Sequence, residues 1–214
     1  MAIVPRIRLE PAALESEFRL NALDADKRIA CGLAIVGIVF LIATVPVTFV
    51  LTGDAERLHQ VWAIRAVDIA IAMIAFVAIR RVHDSKAYDA IVTGWIGIWF
   101  VAIVTENALL PAAFTSFVSW DAFLAVAVYA ALSLPFPRQA SLAAILSLGD
   151  VLVLWKLKSP TASFDLRDMV LAYVCANVVG AFVSYERHGL RRRAYLAMRH
   201  EISARADLEA ALAR

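Results

Sequence analysis

Cysteine is nearly absent from this chain. The two present among 214 residues, Cys31 and Cys175, lie in separate apolar stretches with no CxxC or Cys–His spacing, which leaves no disulfide framework and no structural zinc site to build on. Charge is scarce as well: Asp, Glu, Lys and Arg make up 19% of the residues and apolar ones 62%, whereas a soluble domain carries about 25% charged residues. Nor is there an excess of one sign. The 21 basic and 19 acidic side chains leave a net charge of +2, too balanced for nucleic-acid binding driven by counterion release. The motifs of common catalysis are missing too, with no HExxH, no GxSxG with a histidine partner, no phosphate-binding loop and no glycine-rich dinucleotide turn. No enzymatic activity is expected of these residues. No two of the four histidines are placed to ligate a haem from facing helices, and neither a metal nor any other cofactor is expected.

What is abundant is long apolar sequence. A bilayer core of about 30 Å needs roughly 17 to 25 apolar residues per helix, and six stretches qualify: Ile29 to Leu51, Val61 to Ile79, Ala90 to Ala108, Phe117 to Leu134, Gln139 to Trp155 and Met169 to Tyr185. The fold class expected is therefore all-α, a polytopic membrane protein of six transmembrane helices with a C-terminal helix extending the sixth. Connections of 4 to 13 residues favour sequential helices lying side by side and antiparallel. Pro46 should kink the first span. Residues 1–28 form an N-terminal segment, either a short helix on the membrane surface, with Leu14, Phe18 and Leu23 on its apolar side, or a frayed leader. The bundle occupies 29–185 and a tail 186–214. No internal repeat relates the two halves, which disfavours an inverted-repeat transporter.

Lys and Arg near the span ends set the expected orientation. With the N-terminus in the cytoplasm, sixteen basic residues fall on the inner side and five elsewhere, so both termini are expected inside. The first span lacks a small-residue cleavage site and reads as an anchor rather than a signal peptide. Trp62, Trp120 and Trp155 fall near outer ends, as an interfacial aromatic belt requires.

Charged side chains at membrane depth are costly and mark candidate sites. Arg65, Asp68, Glu106, Asn107, Asp121 and Asp150 all fall in the outer half, whereas the inner half offers only neutral groups such as Thr93 and Ser184, with Asn177 near the middle of the sixth span. Arg65 and Asp68, spaced i, i+3, share a helix face and are expected to pair. Two readings stand side by side. Either these groups lock the bundle, or they form an outward-opening cavity in which Arg65 holds an anionic or carbonyl-bearing ligand and Asp68, Glu106, Asn107, Asp121, Asp150 and the neighbouring His59 complete it. A proton or cation relay through the carboxylates, in a small transporter or channel, is the alternative from a different class. Trp95 and Trp99, spaced i, i+4, read as packing.

After Tyr185 the chain runs ERHGLRRRAYLAMRHEISARADLEAALAR, alanine-rich, charged and free of proline, so the sixth span should continue as a helix. Tyr195, Met198 and Ile202 keep a 3–4 spacing, followed by a second seam through Leu208, a pattern open to a parallel two-stranded coiled coil or to a helix lying on anionic lipid through Arg191, Arg192 and Arg193. At Arg214 the chain is still in helical phase, and a further domain is expected beyond it.

Six short-looped spans followed by this ER-x-x-x-RRR-x-Y-x-x-M-R-x-E helix resemble the MASE-type membrane-associated sensor domains that precede bacterial diguanylate cyclases, class III adenylate cyclases and some histidine kinases. The similarity in residues covers Met169 to Arg214, and the remainder resembles them in architecture. It implies a homodimeric input module that binds a small ligand or lipid and signals to a cytoplasmic cyclase or kinase, with Tyr195, Met198, Ile202 and Leu208 transmitting the signal. The MHYT motif of copper-associated sensors is absent, so the resemblance implies no metal.

Overall fold

A computed structural model describes residues 12–52, 55–111, 117–158 and 166–212. Among these every regular element is a helix: α1 Ala12–Ala43, α2 Val45–Thr52, α3 Ala55–Arg81, α4 Ser85–Leu109, α5 Phe117–Ala131, α6 Phe136–Leu157 and α7 Leu166–Leu212. Five stretches are long and apolar enough to cross a membrane, counting α1 and α2 as one run. The fourth apolar segment, expected over Phe117 to Leu134, is shorter than that. Its helix α5 has 15 residues, about 22 Å at 1.5 Å per residue, less than the roughly 30 Å of a hydrocarbon core. It stops at Ala131 because Pro135 disfavours helical backbone in the residue before it, and because the Ala130 and Ser133 carbonyls accept arginine donors in place of a next helical turn.

The helix break in the first apolar run falls at Thr44. Pro46 has no N–H to give the Ile42 carbonyl and its ring crowds that group; Thr44 and Thr48 hydroxyls bind back to Phe40 and Thr44 carbonyls at 2.9 and 3.0 Å. At its other end α1 runs unbroken from Ala12 into the apolar stretch, so residues 12–28 continue the first rod rather than forming a separate surface helix. Residues 1–11 and 213–214 lie outside the described residues.

Packing only partly follows sequence order. α1 packs on α3, α3 on α4, α5 and α6 on α7, but α4 packs chiefly on α6 rather than on its successor α5, so α6 stands between them. Small residues set the close approaches, as expected where lipid tails compete with side chains for apolar contact: Ala30 and Ala34 of α1 are buried in the same core as Ala72 and Ala75 of α3. Two glycines act likewise. A Cβ at Gly180 of α7 would run into the Tyr129 ring of α5, and one at Gly149 of α6 would lie 2.7 Å from Val104 of α4. Trp95 and Trp99 stack with centroids 6.5 Å apart, a packing contact. Outside, apolar side chains are exposed on every side, Ile74 at 69% and Phe182 at 65%, a surface suited to lipid rather than water.

One end of the bundle carries the start of α1 and the exit of α7, and is called the tail end here. The opposite, far end carries Trp62, Trp120 and Trp155, all exposed.

Candidate functional site

The far end holds the expected polar residues, but not in the expected pairs. Arg65 of α3 turns away from Asp68 and forks onto Glu106 of α4, its Nε 3.2 and 3.1 Å from the two carboxylate oxygens and its Nη2 3.1 Å from Oε2. Its Nη1 donates to Leu41 O at 3.3 Å, a carbonyl in the last turn of α1 before the break. The i, i+3 spacing allowed a local pair, yet a planar guanidinium gains more from a two-pronged carboxylate, and α3–α4 packing brings one within reach. Asp68 is left buried, with Oδ2 lacking any hydrogen-bond partner among the described residues.

Beside this pair, Asn107 of α4 uses its amide nitrogen twice, donating to Asp121 Oδ2 of α5 at 2.7 Å and to Asp150 Oδ1 of α6 at 3.0 Å. Tyr173 of α7 donates its hydroxyl to Asp150 Oδ2 at 2.7 Å. Four helices thus meet at one carboxylate: Asp150 is fully buried, and each of its oxygens has a donor, as a carboxyl so deep in a bundle requires. Asp121 stands within reach of Asp150 and close to Glu106. Lys158, just past α6, closes the end by donating to the Leu110 and Pro111 carbonyls, the latter at 2.9 Å. Burial, reinforced by nearby Arg57, pulls its ammonium down to about 8.

His59 does not join this group. Its exposed ring binds the Ala55 carbonyl of its own helix at 2.6 Å. No group of three or more His, Cys, Asp or Glu suited to a metal ion occurs among the described residues.

The sequence reading missed two arrangements. The first is a file of neutral polar groups between α5, α6 and α7. Asn177 donates to Ser147 Oγ and to Tyr173 O, both at 2.9 Å, and accepts from the Tyr129 hydroxyl at 3.3 Å; further toward the tail end, Ser184 donates to Gln139 Oε1 at 2.6 Å. The helical spacing of polar residues along one face of α7, at Tyr173, Asn177, Ser184, Arg187 and Arg191, with gaps of four, seven, three and four, was the available signal.

The second is a buried ionic cluster at the tail end, whose basic residues the sequence offered only as orientation signals. Arg19 of α1 pairs with Asp89 of α4 and donates to Ser133 O at 2.8 Å. Arg187 donates to Ala130 O at 2.7 Å and to Ser133 Oγ at 3.2 Å. Arg191 donates to Ser133 Oγ and holds Asp26 at 2.7 Å, and the Tyr88 hydroxyl donates to Asp26 O at 3.1 Å. Three guanidinium groups therefore serve the carbonyl end of α5, where the helix dipole favours positive charge. Both ends are polar, and they differ in sign.

The tail residues divide similarly. α7 is one helix of 47 residues, about 70 Å long. Tyr195, expected on an open seam with Met198 and Ile202, is instead buried edge-on against the Phe18 ring of α1, centroids 5.4 Å apart, and Arg199 pairs with Glu17 at 3.5 Å. The seam is lost there because the first turns of α1 cover one side of α7 only that far. Met198, Ile202 and Leu208 remain exposed.

The chain matches no protein-family model, no curated protein and no solved structure.

Proposed function

We propose that this chain is a sensory or regulatory input module of six membrane spans, with both termini in the bacterial cytoplasm, which takes up a small ligand at the far end and passes the change through α7 to a cytoplasmic cyclase or kinase. One observation carries the reading. The single helix α7 hydrogen-bonds Asp150 through Tyr173, binds the tail-end cluster through Arg187 and Arg191, and continues to Leu212. A shift of Tyr173 would tilt α7 about its attachment at Arg187 and Arg191 and so move the exposed tail beyond them. The chemistry favoured for the ligand is cationic or rich in donors. Arg65 has its fork committed to Glu106, whereas Asp68, Asp121 and Asp150 outnumber the local cations. Homodimerisation through the exposed side of α7 that includes Met198, Ile202 and Leu208 belongs to the same proposal.

The test uses the full chain in nanodiscs, with Cys31→Ser and Cys175→Ser, a spin label at Ile202→Cys, and pulsed electron resonance between protomers. Asp150→Asn should move the label-to-label distance while dimers persist, and vesicles should show no ion flux. A distance unmoved by Asp150→Asn, or an absent dimer, would overturn the proposal.

A small transporter is the second reading, favoured specifically by the polar file along α5, α6 and α7. Proton flux into dye-loaded vesicles that disappears in Asn177→Leu would establish it over sensing.

A further inference from the structure

Four guanidinium groups gather at the tail end: Arg19, Arg187, Arg191 and, from the first turn of α6, Arg138. The carboxylates among them are Asp26 and Asp89. Three of the arginines are committed to carbonyls, to Ser133 and to those acids. Arg138 differs. Its closest approach to an acid is 3.8 Å, to Asp89 Oδ2, and its buried Nη1 has no hydrogen-bond partner among the described residues, yet its side chain is 41% exposed. Two residues before it, Phe136 is 49% exposed and rests on the Tyr129 ring at 6.2 Å.

Positive charge in excess of its acids is expensive at a membrane boundary, and a single further anion would relieve it. Arginine's planar fork matches phosphate. The exposed apolar ring beside Arg138 gives an acyl chain a surface that a free ion would not use, and basic clusters at the end of a helix bundle attract anionic headgroups.

We infer that the tail end binds the headgroup phosphate of an anionic phospholipid, with Arg138 as the direct contact and Arg19 and Arg191 holding the surrounding positive charge. This site is separate from the far-end cluster and does not depend on the sensing proposal.

The experiment compares the full chain in nanodiscs of phosphatidylcholine alone and of phosphatidylcholine with phosphatidylglycerol, reading retained lipid by native mass spectrometry and stability by thermal unfolding. The wild type should retain phosphatidylglycerol and unfold at a higher temperature when it is present. Arg138→Gln should weaken retention about tenfold, the loss of roughly one charge-assisted contact, with unfolding in phosphatidylcholine alone unchanged. Arg80→Gln, at an exposed arginine stacked over Phe76 outside the cluster, should retain the lipid as the wild type does. Should Arg138→Gln not assemble, Arg138→Lys keeps the charge without the fork and should still bind measurably less. Equal retention of both lipids, equal loss in the Arg80 and Arg138 variants, or stabilisation by inorganic phosphate matching that by phosphatidylglycerol would each overturn the lipid site.

Discussion

The two ends of the bundle bury similar numbers of polar groups and each has buried ion pairs, Arg65 with Glu106 at the far end and Arg19 with Asp89 and Arg191 with Asp26 at the tail end. They differ in how they hold α7, which meets the far end through the Tyr173 hydroxyl and the tail end through Arg187 and Arg191. At the far end four acids face few cations, and Asp150 is satisfied by neutral donors, the Asn107 amide and the Tyr173 hydroxyl. At the tail end arginines outnumber acids and are anchored by ion pairs and helix-end carbonyls. Removing one neutral donor from a buried group costs about 1–3 kcal/mol, whereas breaking a buried ion pair strands a charge at a cost of about 3–5 kcal/mol. The far end is thus the yielding one and the tail end the clamp, the arrangement a rod-like helix needs if it is to be displaced at one end while staying attached at the other.

That contrast can be broken most forcefully at the clamp. Asp89→Ala strands Arg19 and should destabilise the fold by about 3 kcal/mol or more, seen as loss of detergent-stable protein on size-exclusion chromatography. Next comes the middle of the bundle. Gly180→Ala drives a methyl group into the Tyr129 ring and should cost about 1–3 kcal/mol, with the Tyr129–Asn177 bond broken; Gly32→Ala, where nothing lies within 4 Å of the added atom, serves as control and should be tolerated in thermal unfolding. At the yielding end, Tyr173→Phe leaves one Asp150 oxygen without its donor and should cost about 1–3 kcal/mol while still shifting a label on the α7 tail. A stability loss as large as that of Asp89→Ala would erase the distinction between the ends.

The smallest effect is at Lys158. Its folded value of about 8 lies below the ordinary 10.5, so between these values the unfolded chain holds more protons and stability rises with pH. The contribution is complete above about 10.5 and is lost as pH falls through 8. Lys158→Met should flatten this rise in unfolding temperatures measured across that window.

How much of this was legible depends on how local each feature is. The apolar runs and the unbroken α7 follow from composition, residue by residue. That acids gather at depth toward one end was legible from their positions along the spans. Their partners were not, because spacing along a helix reports only neighbours on that helix. Arg65 had Asp68 three places away and chose Glu106 on another helix. The tail-end cluster was hidden because Arg138, Arg187 and Arg191 read as orientation signals, and nothing in their spacing shows that Ser133 or Asp26 comes to meet them. The covering of Tyr195 by Phe18, which lies 177 positions earlier, is invisible for the same reason.

By itself the sequence determined that the chain is helical and suited to lipid, where its apolar stretches lie, and that the last helix continues past the bundle. Those properties are sums over single residues, of transfer free energy and helix propensity, and need no knowledge of what lies opposite. Only the tertiary structure decided which charges meet, which end yields and which clamps, since these depend on distances between helices that pack through small residues at a few close contacts.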